Sequence, residues 1–279
     1  MAGAALVIAV AVPVHAQGKS NGKGNGHKSS PPSSSPLPSP ATSPVASASP
    51  LAWLDDASLL APGSISVTIS TARWSGMDLS EVNFPVVEAS VGLAPRFQVG
   101  ASVPHIVGSA DGTGPVGGVG TSYITSKIAL LTGTSGVKLA VSPMIEVLGE
   151  GAVQALAPGE GRTQFGVPVS LEVGQGPARV FASTGFFSRG VWFAGGGVGV
   201  QATPRVGVSL SFTRSWTNDG TTGVSRDRRE FSGGVSYFVR PQIGVYGALG
   251  RTIATTDDNG AGTTISAGVN FLLNARVTK

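Results

Sequence analysis

Ionisable groups are sparse in this 279-residue chain: charged residues make up 12%, histidines number three, and cysteine is absent. Without cysteine, neither disulfides nor thiolate metal sites are available. His105, Ser109 and Asp111 form the one grouping with the residue types hydrolysis needs. There an imidazole activates a hydroxyl and a carboxylate orients the imidazole. Their spacing matches no lipase or deacylase motif, and one histidine with a loosely placed serine falls short of a catalytic constellation. His105 reads instead as an interfacial residue and the chain as non-enzymatic. Asp257-Asp258-Asn259-Gly260 supplies half of a calcium loop, lacks the remaining ligands, and reads as a hairpin turn. Gly195-Gly196-Gly197 and Gly117-Gly118 lack the helix that follows a phosphate-cradling loop. No cofactor or metal is expected.

The remaining charges stand singly in long alternating runs: Glu88, Lys127, Lys138, Glu146, Glu172 and Glu230. The elements that carry them decide what they can do. After the Thr203-Pro204-Arg205 corner, Val206, Val208, Leu210 and Phe212 alternate with Gly207, Ser209, Ser211 and Thr213. Strand side chains alternate faces, so this run has one apolar face and one small, polar face. The same unit recurs about Pro95 and Pro241, where proline sets φ at a turn and needs no ladder partner.

Twelve such segments follow Ser64, over 64–74, 84–94, 96–107, 117–131, 136–148, 164–174, 178–188, 190–202, 205–216, 229–239, 242–253 and 263–274. Most exceed a typical globular strand and approach the roughly 9–11 residues that cross a membrane at a tilt. Connections after the second, fourth, sixth, eighth and tenth segments are short. Most of the others are long and polar; the one near Arg189 is the short exception. Trp74, Phe84, Phe165, Phe186, Trp192, Trp216 and Phe231 lie toward the long-connection ends, and Phe97, Tyr237 and Phe271 toward the opposite ends. Two aromatic girdles with segregated turns and loops predict an all-β fold: one antiparallel, up-and-down transmembrane barrel of about 12 strands.

The first fifty residues are of another kind. Residues 1–16 are an apolar run ending Val14-His15-Ala16, which reads as a signal peptide, too short for a spanning helix. Residues 17–50 are rich in Gly, Lys, Ser and Pro and read as a disordered tether. Residues 51–279 form the barrel unit, where 51–63 are a short amphipathic piece whose Trp53 could stopper the lumen. Lys19, Lys23 and Lys28 account for most of the net charge of +4, leaving sixteen basic against fifteen acidic groups beyond residue 50. That balance excludes a nucleic-acid face.

The segments ASLLAPGSISVTIS, YITSKIALL and GVKLAVSPMIEVLG carry a resemblance to bacterial outer-membrane β-barrels. More loosely, the chain is similar to a transporter group linked to phenol-degradation pathways. The resemblance implies an outer-membrane location with the tether in the periplasm. It also implies passive passage of a small solute, contact with outer-membrane lipid and insertion by the barrel-assembly machinery. That machinery reads a terminal aromatic residue in such barrels; here Phe271 is the last one and LLNARVTK follows it.

In this topology inward charges are expected, because a charge facing lipid at the midplane costs ~2–4 kcal/mol. Lys127, Lys138 and Glu172 then lie near the tight-turn end, Glu146 and Glu230 near the other, and Glu88 at mid-height. Lys127, Lys138 and Glu172 are either a constriction that selects solute or a salt-bridge network filling the lumen. Arg226, Arg228 and Arg229 in WTNDGTTGVSRDRRE are candidates for contact with lipopolysaccharide phosphates, or else a hydrated loop. The alternative to a channel is a non-conducting barrel acting as anchor or adhesin through its loops. A soluble β-sandwich with a large interior is the third reading.

Overall fold

The computed structural model describes residues 56–76, 79–110, 114–133, 136–149, 161–188, 190–217, 227–256 and 261–274. The expectations for 1–16 and 17–50, and those for Trp53, Asp111, Arg226 and the turn at 257–260, lie outside the described residues.

Fourteen strand segments make one closed sheet. They are β1 Ser64–Ser75, β2 Leu79–Ala94, β3 Phe97–Ala110, β4 Gly114–Val119, β5 Thr121–Thr132, β6 Val137–Val141 and β7 Met144–Leu148. The others are β8 Thr163–Gln175, β9 Ala178–Phe187, β10 Val191–Thr203, β11 Val206–Thr217, β12 Asp227–Arg240, β13 Ile243–Thr255 and β14 Thr263–Asn274. Every pairing is antiparallel, and β1 closes on β14 from Ser64↔Asn274 to Ser75↔Thr263.

The fourteen segments form twelve staves. β3 pairs with β5 over Phe97–Ser102 and with β4 over His105–Ala110, so β4 and β5 are one stave interrupted at Gly120. β8 pairs with β6 and β7 in turn, so those two form another stave, interrupted at Ser142-Pro143. Prolines explain the interruptions, since each lacks the N–H the ladder needs. Gly120 N donates to the carbonyl of Pro104, and Ser142 N to that of Pro168. β2 begins five residues before the expected start. Pro85 falls inside it, where the register to β3 jumps between Asn83 and Val86, so its missing donor is not called upon.

The faces are reversed relative to a water-soluble domain. Ser209, Ser211, Thr213 and Ser215 are buried inside, whereas Val208, Leu210 and Phe212 stand exposed outside. Among the described residues, buried polar side chains outnumber buried apolar ones two to one. Ile124, Phe165, Leu249, Ile253 and Ile265 are each more than half exposed. An apolar exterior of this extent is matched by hydrocarbon and not by water. The soluble sandwich is thereby set aside: one sheet closes on itself, and its enclosed face is the polar one. No described helix is long and apolar enough to cross a membrane; the strands do the crossing.

Two expectations about the faces change. The girdle includes Trp192 and Phe231 as expected, and Phe186 tilts against Trp192 with ring centroids 4.9 Å apart. Trp74, however, turns inward, in register with the buried Thr264 and Glu81. Glycines at 76 and 262 leave its indole the room a Cβ would occupy. The lumen is also not uniformly polar. Tyr123, Met144, Phe187, Val191 and Phe193 form an apolar cluster inside the barrel on β5, β7, β9 and β10.

Candidate functional site: a stoppered mouth

The tight-turn end of the barrel is occupied by the chain itself. Residues 56–61, just before β1, lie within the mouth with Asp56, Ala57 and Leu60 each no more than 1% exposed. The wall holds this segment by polar contacts. Lys127 Nζ donates to the carbonyls of Asp56 and Ser58, at 3.1 and 3.2 Å. Ser58 Oγ accepts from Lys138 Nζ at 2.8 Å and donates to Glu172 Oε2 at 3.0 Å. Leu60 N donates to Gln98 Oε1 at 2.8 Å. Arg179 Nη1 reaches Asp56 Oδ2 at 2.5 Å and stands 3.9 Å from Glu172 Oε2, while Lys138 pairs with Glu172 Oε1 at 2.9 Å.

Local sequence explains the geometry. Each wall residue occupies an inward position within the last or first turns of its strand: Lys127 late in β5, Lys138 early in β6, Glu172 late in β8 and Arg179 early in β9. Asp56 Oδ1 accepts from Ser58 N at 3.0 Å, an Asx turn that bends the segment across the opening. Gly92 completes the seat: a Cβ there would run into the backbone carbonyls of Leu60 and Ala61, and Gly92 O accepts from Gly63 N.

The three groups expected to cluster do so. Lys127 joins through the segment's carbonyls, and Lys138 and Glu172 pair directly. Sequence reasoning missed Asp56, Ser58, Gln98 and Arg179. Arg179 was readable, because it shares alternation parity with the inward Phe181; its guanidinium lies 5.6 Å from that ring. Asp56 carried no such signal, as it precedes the first strand.

The other candidates are dispersed. Glu88 sits at mid-wall, in register with Thr68 and Ser102. Glu146 accepts from Tyr123 Oη at 3.1 Å and from Gln164 Nε2. Glu230 is 1% exposed and pairs with Arg228, Nη2 to Oε1 at 2.5 Å, with Thr252 Oγ1 at 3.3 Å.

Arg228 departs from the loop placement expected of it. It is a strand residue, 5% exposed inside the barrel, with its guanidinium 5.8 Å from the Trp74 ring. The reason is parity: Arg228 and Glu230, two apart, share the inner face and neutralise each other there. Arg229 points outward and donates to Asp227 Oδ2 at 3.2 Å. His105 is an outward, exposed residue of β3, opposite Val119 of β4. Among the described residues no grouping of His, Asp and Glu could hold a metal ion.

The arrangement binds a peptide segment through charge and closes a hole; its groups are spent on each other and on the backbone. No family model and no curated protein sequence matches this chain. Solved structures do. The COG4313 outer membrane channel from Pseudomonas putida F1 aligns over 78% of this chain and 98% of its own, with a TM-score of 0.61 at 14% identity. The NanC porin aligns over 74% and 98%, with 0.54 at 12%. The KdgM porin in complex with disordered oligogalacturonate aligns over 74% and 98%, with 0.51 at 9%. At such identities the likeness is one of architecture, and the architecture is that of the outer-membrane channel barrels.

Proposed function

We propose that this protein is an outer-membrane channel through which a small solute diffuses when the Asp56–Ala61 segment leaves the mouth. The observation that carries the reading is how the segment is held. Its partners are lysine, arginine, glutamine and glutamate side chains on five separate staves. Such contacts can be exchanged for water at modest net cost, unlike an apolar core. Short turns at this end favour a periplasmic mouth with the long connections outside, by analogy with other outer-membrane barrels. Residues 1–16 would then direct export and 17–50 would tether the segment on the periplasmic side.

A solute passing inward meets two zones. Glu81, Glu146 and Glu230 stand against Arg228 in the outer part, with Glu88 at mid-wall, and Lys127, Lys138 and Arg179 against Glu172 at the vacated mouth. Charge rings of this kind set ion preference at close quarters. The buried aromatic cluster about Phe187 narrows one side, which suits a small solute. The test is single-channel recording of the full chain in a planar bilayer, comparing wild type with Lys138→Glu. We expect brief openings in wild type and a reversal potential shifted toward cations in the variant. Openings with unchanged selectivity would remove the cluster from the permeation path.

One observation favours a second reading, a non-conducting barrel that anchors its loops at the surface. Inward side chains as large as Phe187, Phe193 and Glu230 are at most 1% exposed, so the lumen is filled as well as stoppered. Silence in the bilayer from both wild type and a variant with a released segment would select it.

A further inference from the structure

Four arginines on the outside of the barrel are not accounted for by a channel. Arg73 of β1, Arg214 of β11, Arg229 of β12 and Arg251 of β13 are exposed, and the neighbours on either side of each of the last three are buried in the lumen. Strand alternation therefore points these guanidiniums away from the lumen. All four lie toward the long-connection ends of their strands, and the strands that bear them, with β14, are consecutive around the wall. No other described strand turns a lysine or arginine outward at that end. Phe84, Val107, Val119, Val147, Phe165 and Trp192 are exposed there instead.

Register draws the four into one arc. Arg214 lies directly opposite Arg229, Arg251 opposite Phe231, and Arg73 opposite Ile265, which faces Leu249. From strand spacing and rise, Arg229 and Arg251 are about 8 Å apart along the sheet, and Arg251 and Arg73 about 12 Å. Asp227 forks two of them, accepting from Arg214 Nε and Nη2 at 3.0 Å each and from Arg229 Nη2 at 3.2 Å. Arg214 also lies 5.2 Å from the Trp216 ring, and Arg251 Nη1 donates to Thr263 Oγ1 at 3.1 Å. A guanidinium carries five N–H donors, so these contacts aim the groups without saturating them. Among the described outward residues of these strand ends, one carboxylate stands beside four cations. Below it the same strands expose Phe212, Leu249 and Ile265, an oily face for acyl chains.

We infer that this arc is a docking surface for a phosphorylated, multiply acylated glycolipid, the lipid A of the outer leaflet. Charge on the lipid face is tolerated only near the interface and in company with anions, and guanidiniums match phosphate oxygens in pairs. Phosphates at two ends of a sugar headgroup suit cations spread over an arc, and the chains beneath suit the apolar strip. The inference rests on the long-connection end facing outward, but it is read by lipid binding and not by conductance.

The experiment is native mass spectrometry of the folded full-length barrel with purified bisphosphorylated lipid A, dephosphorylated lipid A, or phosphatidylglycerol. Wild type should retain the bisphosphorylated form about tenfold better than either alternative, as expected for a few charge-assisted contacts. Arg73→Gln/Arg214→Gln/Arg229→Gln/Arg251→Gln should lose that preference. Arg73→Gln/Arg251→Gln keeps the Asp227 fork, and so the local fold, and should lose part of it. Arg96→Gln/Arg205→Gln/Arg240→Gln, at the opposite end, should keep it. Equal retention of dephosphorylated lipid A, equal retention of phosphatidylglycerol, or equal loss in the opposite-end variant would overturn the inference. Should the fourfold variant fail to fold, the twofold variant decides by the same criteria.

Discussion

Replacing Asp56 with alanine probes the stopper most directly. Asp56 is fully buried, its carboxylate meets Arg179 at 2.5 Å, and Arg179 is itself only 13% exposed. Removing one partner of a buried pair costs about 3–5 kcal/mol, because the other charge remains without compensation. Glu172 still lies 3.9 Å from Arg179, which puts the cost at the lower end. Loss of the bond from Ser58 N adds about 1 kcal/mol. A total near 4 kcal/mol corresponds to roughly a thousandfold fall in the docked-to-free ratio of the segment. The chain has no cysteine, so Ala57→Cys, at a position 1% exposed, introduces a unique reporter. Its maleimide labelling in the folded barrel should quicken about a thousandfold when Asp56→Ala is added, with a matching rise in channel open time. Gly92→Ala should act in the same direction without touching a charge, since the new Cβ collides with the Leu60 and Ala61 carbonyls. Labelling that stays slow in both variants, with the barrel intact on heat-modifiable gels, would refute the idea that these contacts hold the mouth shut.

The remaining predictions concern the lumen. Phe187→Ala, which removes a fully buried ring from the cluster with Phe193 and Tyr123, should cost about 3–5 kcal/mol, read as a lower urea midpoint for unfolding in vesicles. Glu230→Gln takes the carboxylate from buried Arg228 and should cost about 3 kcal/mol; adding Arg228→Met should restore part of the midpoint. Gly262→Ala crowds the Trp74 indole and should cost about 1–3 kcal/mol by overpacking. Trp74→Ala in the same chain should cancel most of that loss, and an additive pair would show that the ring is not where the structure places it.

Much of the wall was legible because strand alternation has a period of two and one face is far more apolar than the other. Val206 to Thr213 announce both the strand and the side that meets lipid. The proline corners and uneven connections announce an antiparallel meander. Lys127, Lys138 and Glu172 were placed at one end by counting along their strands. Parity in fact puts Trp74 inward, on the face of Ser70 and Ala72; the girdle expectation ran against it, and vacancies at Gly76 and Gly262, residues in two separate connections, make room for the ring.

What local pattern determined was therefore the number of staves and the medium outside, since both follow from residues adjacent in the chain. Closure decided the rest. Asp56 meets Arg179 across 123 positions, and Asn270 Nδ2 meets Ser66 and Thr68 across more than 200. The arc of Arg73, Arg214, Arg229 and Arg251 exists only because β1 closes on β14 in one particular register. Alternation tells each side chain which face it takes; only the stagger of a closed barrel tells it which neighbours it finds there.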